Sequence, residues 1–174
     1  MVTLEDINVA QTRISPFIHR TPIYTCNSLN ELTGAKLYFK CDNFQKAGSF
    51  KIRGATNTVL QLSPEELNHG VITTSSGNHG AALALAATKQ GANVQVIMPN
   101  NTSRIKIQNV ERYGAKIIYC EPNHESRENT LKEMVERTGA IVVHPYNDER
   151  IVAGQGTAAN ELLTDLSSLD AIIS

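Results

Sequence analysis

The chain has 174 residues, 41% of them hydrophobic and 19% charged, so it is long enough for a buried core and has no bias typical of disordered or fibrous proteins. Sixteen Lys and Arg against seventeen Asp and Glu leave a net charge of −1, which offers no basic surface to nucleic acid or to an anionic membrane. The cysteines lack a C-x-x-C pair, which argues against a disulfide framework or zinc site and fits a reducing cytoplasm. They are Cys26, Cys41 and Cys120.

The first 69 residues are predicted to be mainly helical. The helices carry start signals in which a side-chain oxygen precedes acidic residues of the first turn. In chain order, we predict a helix from Thr3 interrupted at Pro16, a capped helix from Ser28 to Gly34, a strand over 37–41, a helix over 49–62 and a helix start at 63–66.

From residue 70, short β-branched runs alternate with longer helical stretches, a pattern typical of parallel strands joined by crossover helices. Each of the three helices is closed by a glycine. We therefore predict an α/β fold with a doubly wound parallel sheet. The predicted strands cover 71–74, 94–98, 116–120 and 140–144, and the helices cover 78–90, 103–113 and 126–138.

The last segment is predicted to form a helix over 148–166 and a buried strand over 169–173. Ligands of open parallel sheets bind beyond the carboxyl ends of strands. Because the chain ends on such a strand, we expect it to be part of a larger protein. Residues 70–147 would form a small domain inserted into a larger one, to which 1–69 and 148–174 belong.

Lys51 lies at a loop-to-helix junction, between two glycines and directly after Phe50. Most lysines are simply solvated, and this is the ordinary interpretation of one lysine. Here, however, a helix start and desolvation would both lower the pKa of the amine and free its lone pair for attack on a carbonyl. We therefore hypothesise a Schiff-base lysine, with Arg53 as a structural ion-pair partner.

Residues 74–80 join a predicted strand to an apolar helix. Unpaired amides at a helix N-terminus form an anion site, to which Ser75, Ser76 and Asn78 would add donors while Gly77 permits a tight turn. A carboxylate or a phosphate would fit. The alternative is that any doubly wound fold needs a small-residue turn here. From its position we interpret His79 as a structural histidine.

Other motifs are weak or absent. Residues 154–156 (GQG) lie inside a predicted helix and lack the third glycine of a dinucleotide fingerprint, so we interpret them as a packing site. No phosphate-binding P-loop and no H-E-x-x-H zinc helix occur.

Taken together, these segments resemble the pyridoxal-phosphate enzymes that include the serine racemases and the serine and threonine dehydratases. The matching segments are 39–41, 44–46, 48–55, 75–80, 119–122, 125–129 and 153–157. The resemblance covers nearly the whole chain. It implies a large and a small domain enclosing the cofactor, with this chain as roughly the N-terminal half of the enzyme and inactive by itself.

The resemblance also implies roles for individual residues. Lys51 would bind pyridoxal 5′-phosphate and act as base on one face of the substrate Cα, with Phe50 against the cofactor ring and Asn78 at its 3′-oxygen. The substrate carboxylate would be bound by Ser75, Ser76, Gly77, Asn78 and His79.

Ser76 is the residue that favours one activity within the family. Many dehydratases resemble this turn but carry alanine there, whereas serine racemases use the hydroxyl as the proton donor on the opposite face. The resemblance thus implies a serine racemase with accompanying β-elimination of serine to pyruvate and ammonia. The alternatives are a serine/threonine dehydratase only, or a non-catalytic ligand-binding or dimerising module.

The same resemblance implies partners for the full-length enzyme. ATP and Mg²⁺ are expected as effectors, with Lys46 and Tyr113 at nucleotide-contacting positions and no metal ligands within this chain. We expect a cytoplasmic homodimer that acts on a small hydroxy amino acid, with no nucleic-acid or membrane partner.

Overall fold

The computed structural model describes all 174 residues as eight α-helices, six β-strands and two 3₁₀ turns. The helices are α1 (Leu4–Ile14), α2 (Asn27–Thr33), α3 (Lys51–Val59), α4 (Pro64–His69), α5 (Asn78–Thr88), α6 (Arg104–Glu111), α7 (His124–Thr138) and α8 (Glu149–Asp165). The strands are β1 (Ile23–Tyr24), β2 (Phe39–Lys40), β3 (Val71–Thr74), β4 (Val94–Pro99), β5 (Lys116–Cys120) and β6 (Ile141–Val142). The 3₁₀ turns cover Asp42–Phe44 and Lys46–Gly48. No helix combines the length and the apolar character needed to cross a membrane.

A four-stranded parallel sheet in the order β5-β4-β3-β6 confirms the predicted α/β architecture. Both faces of β3 are buried: Val71 packs with α5 and α6 on one side, and Ile72 packs with α7 on the other. The chain runs outward from β3 to β5 and then returns to β6 on the other side of β3. This reversal creates a topological switch point between β3 and β6, where open sheets bind ligands.

Helix starts were predicted with mixed success. Ser63 forms the expected capping box: its hydroxyl accepts from the Glu66 amide at 3.1 Å, while the Glu66 carboxylate accepts from the Ser63 amide at 2.7 Å. Thr3 caps α1 in the same way. The cap at Ser28 was wrong, because α2 begins at Asn27 and Ser28 lies inside its first turn.

The predicted strand over 169–173 is also wrong. These residues have no strand structure, and Ile173 is 96% exposed. A strand needs a neighbour whose backbone groups face it, and residues 1–69 supply only the two-residue antiparallel ribbon of β1 and β2. The strand expected over 37–41 is likewise reduced to β2.

Close helix packing brings the two ends of the chain together, because α8 lies against both α1 and α3. A Cβ on Gly154 would lie only 2.6 Å from the Gly54 Cα, so glycine is needed where α3 and α8 cross. This confirms that the GQG segment is a packing site. The opposite side of α3 packs on α5, which places α3 between the sheet layer and α8.

A buried ion-pair network surrounds Arg53 and confirms its predicted structural role. Its Nε lies 2.7 Å from Asp42 Oδ2, and its Nη1 lies 2.7 Å from Glu161 Oε1. Lys40 Nζ approaches the other oxygen of Glu161 at 2.5 Å. The side chain of Arg53 is fully buried and those of its partners are at most 13% exposed. The network therefore joins β2, the first 3₁₀ turn, α3 and α8.

The network also shifts the pKa values of its carboxyl groups. Burial alone would raise the pKa of Asp42 and of Glu161. Hydrogen bonds and charge from Arg53, aided by Lys40, outweigh burial, so both pKa values lie below their ordinary 3.8 and 4.5. The carboxylates raise the pKa of Arg53 despite its burial, so the guanidinium stays protonated.

We predict that Arg53→Ala lowers the free energy of unfolding by roughly 3–5 kcal/mol, because it leaves buried carboxylates without their main partner. Urea denaturation followed by circular dichroism measures this change. Arg137→Ala is the matched control, since its pair with Glu133 is exposed on both sides and should contribute less than about 1 kcal/mol. Similar losses in the two variants would contradict the prediction.

The lowered carboxyl pKa values predict the acid sensitivity of the fold. Stabilisation by Asp42 and Glu161 is fully present above their unfolded pKa values and is lost as pH falls through their lower folded ones. The free energy of unfolding should therefore decrease below about pH 4.5, the ordinary value of a glutamate. Urea titrations repeated between neutral and acid pH measure this decrease, which should be shallower in Arg53→Ala than in the unmodified chain. An equal slope of unfolding free energy against pH in both proteins would contradict the role of Arg53 in lowering the two carboxyl pKa values.

Candidate functional site

Lys51 begins α3 after a tight turn. Two successive residues of this turn, Ala47 (φ 61°) and Gly48 (φ 74°), have left-handed backbone conformations. Alanine rarely adopts this conformation, so the surrounding contacts must hold the turn in place. Phe50 occupies the N-cap position, and its ring centroid lies 5.1 Å from Lys51 Nζ. The turn thus delivers an amine and an aromatic face together.

The Lys51 amine lies at the switch point of the sheet. Its Nζ donates a hydrogen bond of 2.9 Å to the carbonyl oxygen of Pro145, in the loop that follows β6. Burial lowers the pKa of this amine, because desolvation disfavours the charged form. A larger fraction of Lys51 is therefore unprotonated at neutral pH than of an ordinary lysine.

A cavity of about 690 Å³ opens beside Lys51. This volume lies within the usual range for small-molecule sites, and most of the lining is apolar. Its polar or aromatic lining residues are Lys40, Asp42, Phe50, Lys51, Tyr146, Gln155 and Ser174. The buried network around Arg53 thus reaches the wall of this cavity through two of its members.

The turn over 75–79 has the geometry of an anion site. The hydroxyl of Ser75 accepts hydrogen bonds from the amides of Gly77 (3.3 Å) and Gly80 (3.1 Å). The first-turn amides of Asn78 and His79 have no intrahelical partner and point from the positive end of α5. The turn does not line the cavity beside Lys51; it belongs to the neighbouring strand end.

The polar side chains of this turn differ in their surroundings. Asn78 is exposed and Ser76 is partly buried, and neither side chain forms a hydrogen bond within the chain. Both groups are therefore available to a ligand.

His79 is only 3% exposed, as its structural interpretation requires. Its Nε2 lies 3.2 Å from the carbonyl oxygen of Val143 and must donate, since a carbonyl only accepts. Its buried Nδ1 has no partner. Burial lowers the pKa of His79 to about 4, and the charges of Lys51 and His144 act in the same direction. The ring is neutral at physiological pH.

The two predicted nucleotide contacts lie in different surroundings. Lys46 Nζ donates to the carbonyl oxygen of Phe17 at 2.6 Å and lines a cavity of about 20 Å³ to which Tyr113 does not contribute. Tyr113 instead contacts Arg112, whose guanidinium lies 4.6 Å from the ring centroid. No group of three or more His, Cys, Asp or Glu side chains is placed to hold a metal ion.

Three residues of the site were missed by sequence reasoning: Pro145, Tyr146 and Gln155. Pro145 and Tyr146 follow β6, and the order of strands in the sheet is what places them beside Lys51. Gln155 was considered only as part of a packing segment. It also accepts a hydrogen bond from the Gly54 amide at 3.2 Å and lines the cavity. The sequence offered one signal for these residues: the 143–147 loop follows a predicted strand, and ligands of parallel sheets bind beyond the carboxyl ends of strands.

Comparison with known proteins agrees with this arrangement. The profile of the family described as "Pyridoxal-phosphate dependent enzyme" matches residues 14–174. A serine racemase of Arabidopsis thaliana is 48% identical over 167 residues, which are 96% of this chain and 50% of the relative. A β-hydroxyaspartate dehydratase of Paracoccus denitrificans is 50% identical over 171 residues, 98% of this chain and 54% of the relative.

The same fold is found among solved structures. The structure of maize serine racemase superposes with a TM-score of 0.95 at 44% identity, covering 97% of this chain and 51% of the maize chain. The chain therefore spans about half the length of the relatives it matches. Because the family profile covers nearly all of the sequence, the chain belongs to the pyridoxal-phosphate dependent enzymes.

Proposed function

We propose that these 174 residues belong to a serine racemase that interconverts L- and D-serine, with accompanying β-elimination of serine to pyruvate and ammonia. The observation that carries the proposal is the amine of Lys51, which has a lowered pKa, lies beside an aromatic ring and opens onto a cavity at the switch point of the sheet. The serine racemases among the relatives support this choice of substrate and reaction.

The residues present fit pyridoxal phosphate. Lys51 would hold its aldehyde carbon, Phe50 would pack against its ring, and the exposed amide of Asn78 would donate to its 3′-oxygen. The size of the cavity and the unprotonated fraction of the amine both favour this assignment. When bound, pyridoxal phosphate supplies an electron sink that stabilises negative charge at the Cα atom of an amino acid.

The turn over 75–79 would bind and orient the substrate. The free amides of Asn78 and His79 would donate hydrogen bonds to its carboxylate, aided by Ser75 and Gly77. Once the substrate amine has displaced it, Lys51 Nζ would take the Cα proton from one face, and Ser76 Oγ would return a proton to the other, which would invert the centre. The free hydroxyl of Ser76 supports this role.

Elimination would follow from the same proton removal at Cα. If the β-hydroxyl leaves before Cα is reprotonated, the product becomes pyruvate and ammonia after hydrolysis. A dehydratase without racemase activity is the second candidate, and the Paracoccus denitrificans relative favours it. Serine, threonine and hydroxyaspartate are the substrates to compare.

We also propose the domain arrangement: a small domain over 70–147 inserted into a larger one that includes 1–69 and 148–174. Direct pairs between the outer segments support it, including that of Arg53 with Glu161. The free state of all three cysteines supports a reducing compartment such as the cytoplasm. A homodimer, with ATP at Lys46 and Tyr113 and Mg²⁺ elsewhere, completes the proposal.

Lys51 should be linked to pyridoxal phosphate by borohydride reduction at lower pH than other lysines of the chain, because its lower pKa leaves more free amine. The purified chain is treated across a pH series, and peptide mass spectrometry measures the modified fraction. The exposed Lys36 is the internal control. If Lys51 reacts no more readily than Lys36 at every pH, a non-catalytic ligand-binding or dimerising module becomes the better explanation.

Ser76→Ala should lower racemisation of serine by roughly 100-fold or more, the usual contribution of a positioned proton donor, while elimination of L-serine continues. The reason is that Lys51 alone removes the proton of the L-isomer. A suitable enzyme is a chimera in which these 174 residues replace the matching half of the Arabidopsis thaliana relative. D-serine and pyruvate are measured separately.

Lys51→Ala is the reference variant in this assay and should abolish both activities. Equal losses of racemisation and elimination in Ser76→Ala would exclude Ser76 as the second proton donor. Elimination without racemisation in the unmodified chimera would favour the dehydratase.

A further inference from the structure

His79 connects the two halves of the candidate site. Its backbone amide belongs to the free first turn of α5, where the substrate carboxylate is proposed to bind. Its imidazole extends the other way, to the loop after β6, and donates to the carbonyl oxygen of Val143 at 3.2 Å. The established strand order places these segments side by side, since β3 and β6 are neighbours.

The loop after β6 is held at several points. Val143 is fully buried, so its carbonyl needs a donor, and His79 supplies it. The Nδ1 atom of His144 accepts from the amides of Tyr146 (3.2 Å) and Asn147 (2.8 Å). Between these contacts lies Pro145, whose carbonyl oxygen accepts a hydrogen bond from the Lys51 amine.

The position of the Lys51 amine therefore depends on where this loop lies. Only His144 separates Val143, whose carbonyl His79 contacts, from Pro145, whose carbonyl Lys51 contacts. A displacement of Val143 would move the Pro145 oxygen and release the amine toward water.

The protonation state of His79 allows its Nε2 to act as a constant hydrogen-bond donor to Val143. Burial and the nearby charges of Lys51 and His144 keep the ring neutral, so that Nε2 carries the proton. No other titratable group contributes to the lowered pKa of His79. The donor is consequently retained over the whole neutral range.

We propose that His79 is a positioning residue for Lys51: its imidazole fixes the 143–147 loop so that the Pro145 carbonyl holds the reactive amine, and its backbone amide ties that arrangement to the carboxylate-binding turn. The side chain acts through the loop and does not contact the reacting atoms. This inference rests on the proposed function, because it concerns the amine on which that function depends.

Two substitutions of similar polarity separate positioning from burial. In His79→Gln, the side-chain nitrogen reaches about as far as Nε2 and can still donate to Val143. In His79→Asn, the nitrogen lies near the position of Nδ1 and falls short. His124→Asn is the matched control, since His124 is exposed at the start of α7.

The measurement is the rate at which pyridoxal phosphate and borohydride modify Lys51 in the full 174-residue chain, with Lys36 as internal reference. We expect about a fivefold lower rate in His79→Asn, the effect of one hydrogen bond, and recovery in His79→Gln. A His79→Asn protein that retains the wild-type thermal transition and the wild-type rate would overturn the inference. So would a His79→Gln rate as low as that of His79→Asn.

Nuclear magnetic resonance tests the inference without cofactor. In the unmodified chain, ¹⁵N spectra should give the Nε2–H tautomer of His79 at neutral pH, and the other tautomer would refute the contact with Val143. The titration of the Lys51 side chain should move toward the ordinary lysine pKa in His79→Asn and return in His79→Gln, with no change for Lys36. Absence of any Lys51 shift in a folded His79→Asn would reject the positioning role.

These readouts distinguish failure of the inference from failure of the proposed function. If Lys51 in the unmodified chain reacts no faster than Lys36, the proposed function is rejected, and the Lys51 titration alone decides whether His79 positions the amine. If Lys51 reacts selectively but is insensitive to both substitutions, only the inference is rejected.

Discussion

The buried ion pairs of Arg53 are the interaction on which the rest of the site depends. Arg53 lies two residues after Lys51, and its guanidinium is held by carboxylates from both sides of α3. One comes from the turn before α3 and the other from α8, near the opposite end of the chain. Because a buried guanidinium without carboxylates would be costly, these pairs constrain where α3 can lie. The start of that helix, and with it the Lys51 amine, is thereby fixed beside the cavity.

The switch point of the sheet supplies the other half of the site. The carboxyl end of β3 leads into the turn over 75–79, and the carboxyl end of β6 leads into the loop whose Pro145 carbonyl accepts a hydrogen bond from the Lys51 amine. In the proposed function, the Lys51 amine with its lowered pKa and the pair of free helix amides would serve different groups of one amino acid. The turn and the loop lie side by side because β3 and β6 are neighbours, and neighbouring parallel strands end at the same edge. Chemistry at Cα is therefore consistent with the architecture as well as with the residue types.

Helix starts and the sheet were predictable because they depend on local signals. The capping box at Ser63 and the alternation of β-branched runs with helices needed no knowledge of distant residues. The strand over 169–173 failed for the opposite reason: its apolar sequence suits a strand, but strand structure requires a partner that a run of residues cannot provide for itself. His79 was interpreted as a structural histidine and is buried, yet the contact of its imidazole with Val143 spans 64 positions of sequence and had no local signal.

The sequence by itself determined the family, the α/β class, the candidate lysine and the candidate turn over 75–79, because each is encoded in contiguous residues whose chemistry is local. Only the tertiary structure decided that the Pro145 carbonyl accepts a hydrogen bond from the Lys51 amine. It also decided that Asp42 and Glu161 form ion pairs with Arg53, and that glycine is required where α3 meets α8. These features join segments far apart in the chain. They arise from the packing of helices and the order of strands, which residue spacing does not specify.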